Sequence, residues 1–250
     1  MKPLAVQVYT LRDAMQNGNH LAILQKLADI GYKGIEGHGY GMSFVEFRKT
    51  VEDMGMKVSS YFGDVPTPET VNQFIDNAKD LGVSDTVIGF GTREYKTVEA
   101  IKETAVRINA VAPTIRAAGL TFNLHNHYWE FEVVDGRLAI EWMVDECPDV
   151  TLELDTYWAT NFGANKAADM VTKFRDKVKL MHVKDGPMVK DEPMTAAGSG
   201  KVDIAEAIRA GDPNWLILEM DFCATDMMDA VEQSYRYLVG NGLAAGNKPV

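Results

Sequence analysis

Eight short apolar runs recur along the chain, each followed by a stretch with helical spacing, and this alternation limits the fold more than any other feature. The runs are LAVQVY (4–9), KGIEGH (33–38), KVSSYF (57–62), DTVIGF (85–90), TFNLH (121–125), VTLELD (150–155), VKLMHV (178–183) and WLILEM (215–220), with starts about 24 to 37 residues apart. Runs this short, rich in Val, Ile and Leu, read as strands of a parallel sheet covered on both faces. Between them, HLAILQKLADIG (20–31) carries apolar residues at helical spacing and stops at Gly31. SFVEFRKTVEDMG (43–55) opens with Ser43 and Glu46 in capping-box spacing, and TPETVNQFIDNAKDLG (67–82) opens on Thr-Pro. The long pattern over 96–119 should break at Pro113, which cannot donate a backbone hydrogen bond. Further helices are expected near 138–146, 166–176, 203–210 and 225–239.

Eight strand–helix units with no linker and no low-complexity segment predict one α/β domain over residues 1–250, a single (β/α)8 TIM barrel. The last residues, GLAAGNKPV, read as a loose tail over about 241–250. An open doubly wound sheet fits less well, because TLRDAMQNGN rather than a Gly-rich phosphate loop follows the first run.

Charge narrows the function. Lys and Arg number 25 against 36 Asp and Glu, a net charge of −11 with no basic run, which argues against a nucleic-acid partner. Cys147 and Cys223 are not in CxxC spacing and read as free thiols of a reducing compartment. The chain passes directly from MKPL into its first strand, without a signal-like segment or a membrane-length apolar stretch. A cytoplasmic protein with no membrane partner is expected, and a homo-oligomer is compatible with the sequence.

Four consecutive runs end in ligand-type residues: His125, Asp155, His182 and Glu219, spaced by 30, 27 and 37 residues. In a barrel the C-terminal strand ends form one rim, so these four side chains are expected to meet there and hold one divalent metal ion. Two imidazoles and two carboxylates suit Mn, Co, Zn, Ni or Mg, with nitrogen favouring the transition metals. An Asp or His at one strand end is commonly a cap or a structural residue, but four in one register are harder to assign that way. Strand alternation adds neighbours. Asn123, His125 and His127 share a face, as do Glu153 with Asp155, His182 with Lys184, Glu219 with Asp221, and Glu36 with His38. From this set, Glu219, His127 and Lys184 are the catalytic candidates. Glu36, His38, Glu130, Trp158 and Lys184 are the candidates for binding a small polar substrate, with Trp158 suited to stacking on a sugar face. GSGKVD (198–203) lacks P-loop spacing and reads as a turn with Asp203 capping the next helix. The segment 185–200 is long enough to cover the site.

In order along nearly the whole chain, QVYTLRD, GYKGIEGHGYG, FNLHNHYWEF, LELDTYW, MHVKDG, GSGKVD and ILEMD resemble the sugar phosphate isomerase/epimerase group of the xylose isomerase-like TIM barrels. In related ketose 3-epimerases the metal ligands run Glu, Asp, His, Glu on strands five to eight. Asp155, His182 and Glu219 match by type, and Glu36 matches the glutamate after the second strand. Two positions depart. His125 stands where those enzymes carry an acid/base glutamate, and Trp158 where they carry a substrate-binding histidine. HNHYWEF looks instead like the branch that includes inosose dehydratase-like proteins. The resemblance implies a metal-dependent sugar isomerase or epimerase working by proton abstraction α to a carbonyl. A lyase acting on a keto-sugar, inosose or 3-keto-glycoside by the same abstraction is the alternative. An apurinic-site endonuclease, which shares the barrel, conflicts with the acidic charge, and a metal-free relative is the remaining reading.

Overall fold

The computed structural model describes residues 1–250, the side chain of Asn17 apart. The apolar runs become β1 (Lys2–Gln7), β2 (Gly34–Glu36), β3 (Lys57–Val58), β4 (Tyr61–Phe62), β5 (Asp85–Gly89) and β6 (Thr121–His125). A small hairpin, β7 (Val133–Val134) and β8 (Arg137–Leu138), follows, then β9 (Thr151–Asp155), β10 (Val178–Val183), β11 (Trp215–Leu218) and the short β12 (Ala244–Ala245). The main sheet is parallel throughout, in the order β3-β2-β1-β11-β10-β9-β6-β5-β4.

The run at 57–62 closes this sheet into a nearly complete barrel. Its first half, β3, pairs with β2, and its second half, β4, pairs with β5. The chain steps from one neighbour to the other at Ser59 and Ser60. Ser59 N donates to Ile35 O at 2.8 Å, and Gly63 N donates to Val87 O at 3.0 Å, so backbone bonding continues on both sides of the step.

The helices lie outside: α1 (His20–Ile30), α2 (Phe44–Asp53), α3 (Val71–Leu81), α4 (Thr92–Tyr95), α5 (Val98–Asn109), α6 (Ala112–Ala117), α7 (Ala139–Glu146), α8 (Ala167–Lys173), α9 (Ile204–Ala210) and α10 (Met227–Gly240). The local signals act as expected. Ser43 and Glu46 form the capping box of α2, and Gly31 ends α1 with φ of 119°, a left-handed conformation that favours glycine. Pro113 restarts the chain as α6, and Asp203 caps α9 by accepting from Glu206 N. The helix expected from 67 begins only at Val71, because Thr67 and Thr70 first form a hydrogen-bonded turn.

Two cores result. The larger lies between sheet and helices, with Leu24, Leu27, Phe47, Ile101, Ile140 and Val231 fully enclosed. The smaller is inside the barrel, where Ala5, Val87, Leu180 and Ile217 pack with Phe62 and Trp215. These inner residues set the parity for the rim. Two positions on from Ala5, Leu180 and Ile217 come Gln7, His182 and Glu219, all inward and nearer the C-terminal mouth.

The C-terminal residues are not loose. Beyond the pairing of β12 with β1, Asn247 N donates to Gly31 O, its side chain to Tyr32 O and Gly55 O, and Tyr235 Oη to Lys248 O. The tail is tied to the α1–β2 connection and to α10.

Candidate metal centre and its cavity

Each strand of the second half delivers one polar group to the mouth. His125, Asp155, His182 and Glu219 are all buried, and one ligand atom from each lies within 4.8 Å of the others. Asp155 is aimed by its neighbours. Its Oδ1 accepts from Trp158 N at 2.9 Å, and its backbone N donates to Asn126 Oδ1 at 2.9 Å. The other oxygen, Oδ2, therefore points into the cluster.

Lys184 stands among the carboxylates, two positions beyond His182. Its Nζ lies 2.7 Å from Glu219 Oε2, 2.8 Å from Asp221 Oδ2 and 3.0 Å from Asp155 Oδ2. The Asp221 contact is a hydrogen bond, whereas Asp155 Oδ2 has close charge contact but no hydrogen-bond donor. Burial would push the Lys184 ammonium down, but Asp155, Glu219 and Asp221 together hold it above its ordinary value. Lys184 is 1% exposed and does not line the cavity. Its ammonium sits behind Glu219 and Asp221, which do line the cavity, as a counter-charge to the carboxylates.

A second polar layer lies beneath. His182 Nε2 is 2.7 Å from Glu36 Oε2 and 3.2 Å from Glu153 Oε2, while its Nδ1 faces Glu219 Oε2 at 2.9 Å. His125 Nδ1 is 3.0 Å from Glu153 Oε2. Glu36 also accepts from Ser60 Oγ, and from Gln7 Nε2 at 2.8 Å. Burial raises the Glu153 carboxyl well above the carboxylate range, and the adjacent Glu36 adds to this. Burial acts on Glu36 in the same sense but is outweighed by His182, so Glu36 stays ionised. Desolvation alone would lower His182, yet Glu153, Glu219 and Glu36 hold its ring well above the usual imidazole value. Burial takes His125 the other way, well below it.

A cavity of about 420 Å³ opens over the cluster, lined by Gln7, Tyr9, Arg12, His38, Tyr40, Phe62, His125, His127, Glu219 and Asp221. His38 lies on its wall, with Nε2 3.0 Å from Phe62 O. His127 stacks on Trp129 with centroids 4.2 Å apart, and burial lowers it to about 4, so its ring is neutral at pH 7. Its Nδ1 is buried without a hydrogen-bond partner.

Three of the expected substrate contacts are placed elsewhere. Glu36 is wholly buried in the layer below, held there by Ser60, Gln7 and His182. Glu130 is also wholly buried, accepting from His127 N at 2.8 Å, with its carboxyl pushed well up by burial. Trp158 packs its ring 5.2 Å from Lys184 Nζ rather than on the cavity wall. Glu153, Gln7, Asn126, Arg12 and Asp221 join the site without a role that their sequence context alone assigns. For Glu153 and Asp221 the signal was there, since each shares a strand face with a candidate ligand.

The amides of the GSGKVD segment at Gly198, Gly200 and Val202 are occupied from within the chain. Asp185 takes them, accepting from Gly186 N, Gly198 N, Gly200 N and Val202 N at 2.8 to 3.0 Å.

The four-residue cluster fits a divalent ion. Around Lys184, one ammonium faces three carboxylates, which leaves two negative charges for a cation to balance. Asp155 Oδ2 is a buried anionic oxygen without a hydrogen-bond donor, and the N2O2 donor set suits zinc, manganese or cobalt.

Fold and site together define a barrel protein with a buried, metal-competent rim. Residues 24–238 match the family model for the xylose isomerase-like TIM barrel, and the chain belongs to that family. Solved structures agree on the fold. A sugar phosphate isomerase/epimerase from Parabacteroides distasonis is 22% identical over 98% of this chain and 96% of its own, with a TM-score of 0.77. An L-ribulose 3-epimerase is 20% identical over 97% and 95%, with a TM-score of 0.73. The IOLI protein, solved with a bound zinc atom, is 16% identical over 96% and 99%, with a TM-score of 0.72. No curated protein matches the chain. Among the described residues, no helix is long and apolar enough to cross a membrane.

Proposed function

We propose that this protein is a divalent-metal-dependent isomerase or epimerase of a ketose or related sugar, acting by removal of the proton α to the carbonyl. The observation that carries the reading is the meeting of His125, Asp155, His182 and Glu219 beside an open cavity. Kinship to an epimerase and to a zinc-binding barrel of the same fold supports it. A divalent ion held by the four residues supplies Lewis-acid polarisation of a substrate carbonyl.

The chain's own groups do the rest. His127 is the candidate proton acceptor by position, because its ring lines the cavity, is unprotonated at pH 7 and has a partnerless Nδ1, although a value of about 4 makes it a weak base. Glu219 is less suited. Although burial opposes it, Lys184 and His182 hold its carboxyl well below the ordinary range, which makes it a weak base and a good anionic ligand. Lys184 keeps Asp155, Glu219 and Asp221 from repelling one another. Phe62, Tyr40 and Tyr9 give the sugar apolar walls, while His38 and Arg12 offer polar contacts.

Elimination from a keto-sugar would begin with the same proton transfer. Incubation of the metal-loaded protein with ketoses, inososes and 3-keto-glycosides separates the two outcomes. A product of unchanged mass supports isomerisation or epimerisation, whereas a dehydrated or cleaved product assigns the lyase.

A further inference from the structure

Resting on the metal-centred reading above, we propose that Glu36 and Glu153 are positioning residues that fix opposite tautomers of the two histidines, so that His182 offers Nδ1 and His125 offers Nε2 to a divalent ion. Neither glutamate lines the cavity, and both are wholly buried, so neither meets substrate.

The direction of the hydrogen bonds follows from the backbone. Tyr9 N–H donates to Gln7 Oε1 at 3.1 Å, which fixes the Gln7 amide. Its NH2 group must then donate to Glu36 Oε2, at 2.8 Å. Ser60 Oγ donates to the other oxygen of Glu36. Glu36 is thus an acceptor on every side, and His182 Nε2, 2.7 Å away, must be the donor. Both ring nitrogens face carboxylates. A metal ligand must be a neutral imidazole with one N–H, so with Nε2–H kept by Glu36 the lone pair is on Nδ1, the nitrogen beside Glu219.

His125 is turned the other way. Its Nδ1 meets Glu153 Oε2 at 3.0 Å, the same oxygen that lies 3.2 Å from His182 Nε2. Oε2 is therefore the accepting oxygen of Glu153, with any carboxyl proton on Oε1, so His125 Nδ1 donates and Nε2 keeps the lone pair. The two rings lie 4.8 Å apart between centroids, and Glu153 Oε2 is within reach of both. A carboxylate behind a ligating histidine raises its basicity and fixes its ring, and losing one typically costs about 10- to 100-fold in metal affinity.

The test is nitrogen-15 NMR of the histidine rings in zinc-loaded protein, with zinc affinity measured by chelator competition. In the wild type, His182 is expected to show a protonated Nε2 and a zinc-shifted Nδ1, and His125 the reverse. Glu36→Gln and Glu153→Gln are each expected to weaken zinc by about tenfold or more, with Glu36→Gln altering the His182 ring signals and Glu153→Gln those of His125. Zinc bound through His182 Nε2 or His125 Nδ1, or a loss of affinity below tenfold in both folded variants, overturns the proposal and leaves the proposed function standing. Should the variants not fold, the wild-type ring assignment decides alone. A wild type that binds no zinc, manganese or cobalt overturns both.

Discussion

Lys184 Nζ lies 2.7 Å from Glu219 Oε2, so an ammonium and a candidate metal ligand form a direct ion pair at the barrel mouth. Asp155 and Asp221 complete the ring around the same nitrogen. Removing one partner of a buried charge cluster leaves the others uncompensated, at a cost of about 3–5 kcal/mol. Lys184→Met is therefore expected to lose stability of that order in urea unfolding with chelator present. Zinc should restore part of it, because a dication can replace the missing charge. Equal stability of variant and wild type in chelator would contradict the role assigned to Lys184.

Asp185 organises the segment that follows β10 through four backbone amides. Hydrogen bonds to an ionised group contribute about 1.5–3 kcal/mol each, though not additively. Asp185→Ala should therefore release residues 186–202 while the barrel stays folded. Hydrogen exchange at Gly198, Gly200 and Val202 is expected to accelerate by at least about tenfold, equivalent to roughly 1.4 kcal/mol. Unchanged protection at these amides would show that the segment is held by other contacts.

The His127 ring is lowered to about 4, first by burial and then by Lys184. Its unfolded value is near 6.5, so between those limits the unfolded chain takes up a proton that the native ring does not. This contribution to stability is present above pH 6.5 and is lost as pH falls toward 4. Between pH 7 and pH 5 it amounts to roughly 2 kcal/mol. In metal-free protein, His127→Asn should remove that part of the pH dependence. Parallel stability curves for variant and wild type over this range would refute it.

The barrel was legible because strand parity and helix caps are local signals. Ser43 and Glu46, Gly31 and Pro113 each act within a turn of chain, and the rim quartet needs only strand alternation to be found. What stayed hidden depends on distant partners. Ser59 and Ser60 mark the step in the third barrel strand only because β2 and β5 bond the two halves separately. Parity placed Glu36 on the inward face but could not give its depth, which is fixed by Gln7 and His182 from two other strands and by Ser60 at the step between β3 and β4. Asn247 reads as tail until Gly31, Tyr32 and Gly55 are beside it. Lys184 reads as a free rim cation until its three carboxylates converge.

The central claim is that metal and rim residues together acidify a carbon-bound proton of a sugar. The direct measurement is deuterium uptake in D2O, at the carbon next to the carbonyl, over a panel of ketoses. Protein stripped by chelator is compared with protein reloaded with zinc, manganese or cobalt, and with Glu219→Ala. At least one sugar is expected to exchange in the reloaded wild type, with exchange lost on stripping and cut to near the stripped level in Glu219→Ala. Equal exchange in stripped and reloaded protein, or full exchange in metal-loaded Glu219→Ala, would contradict the account.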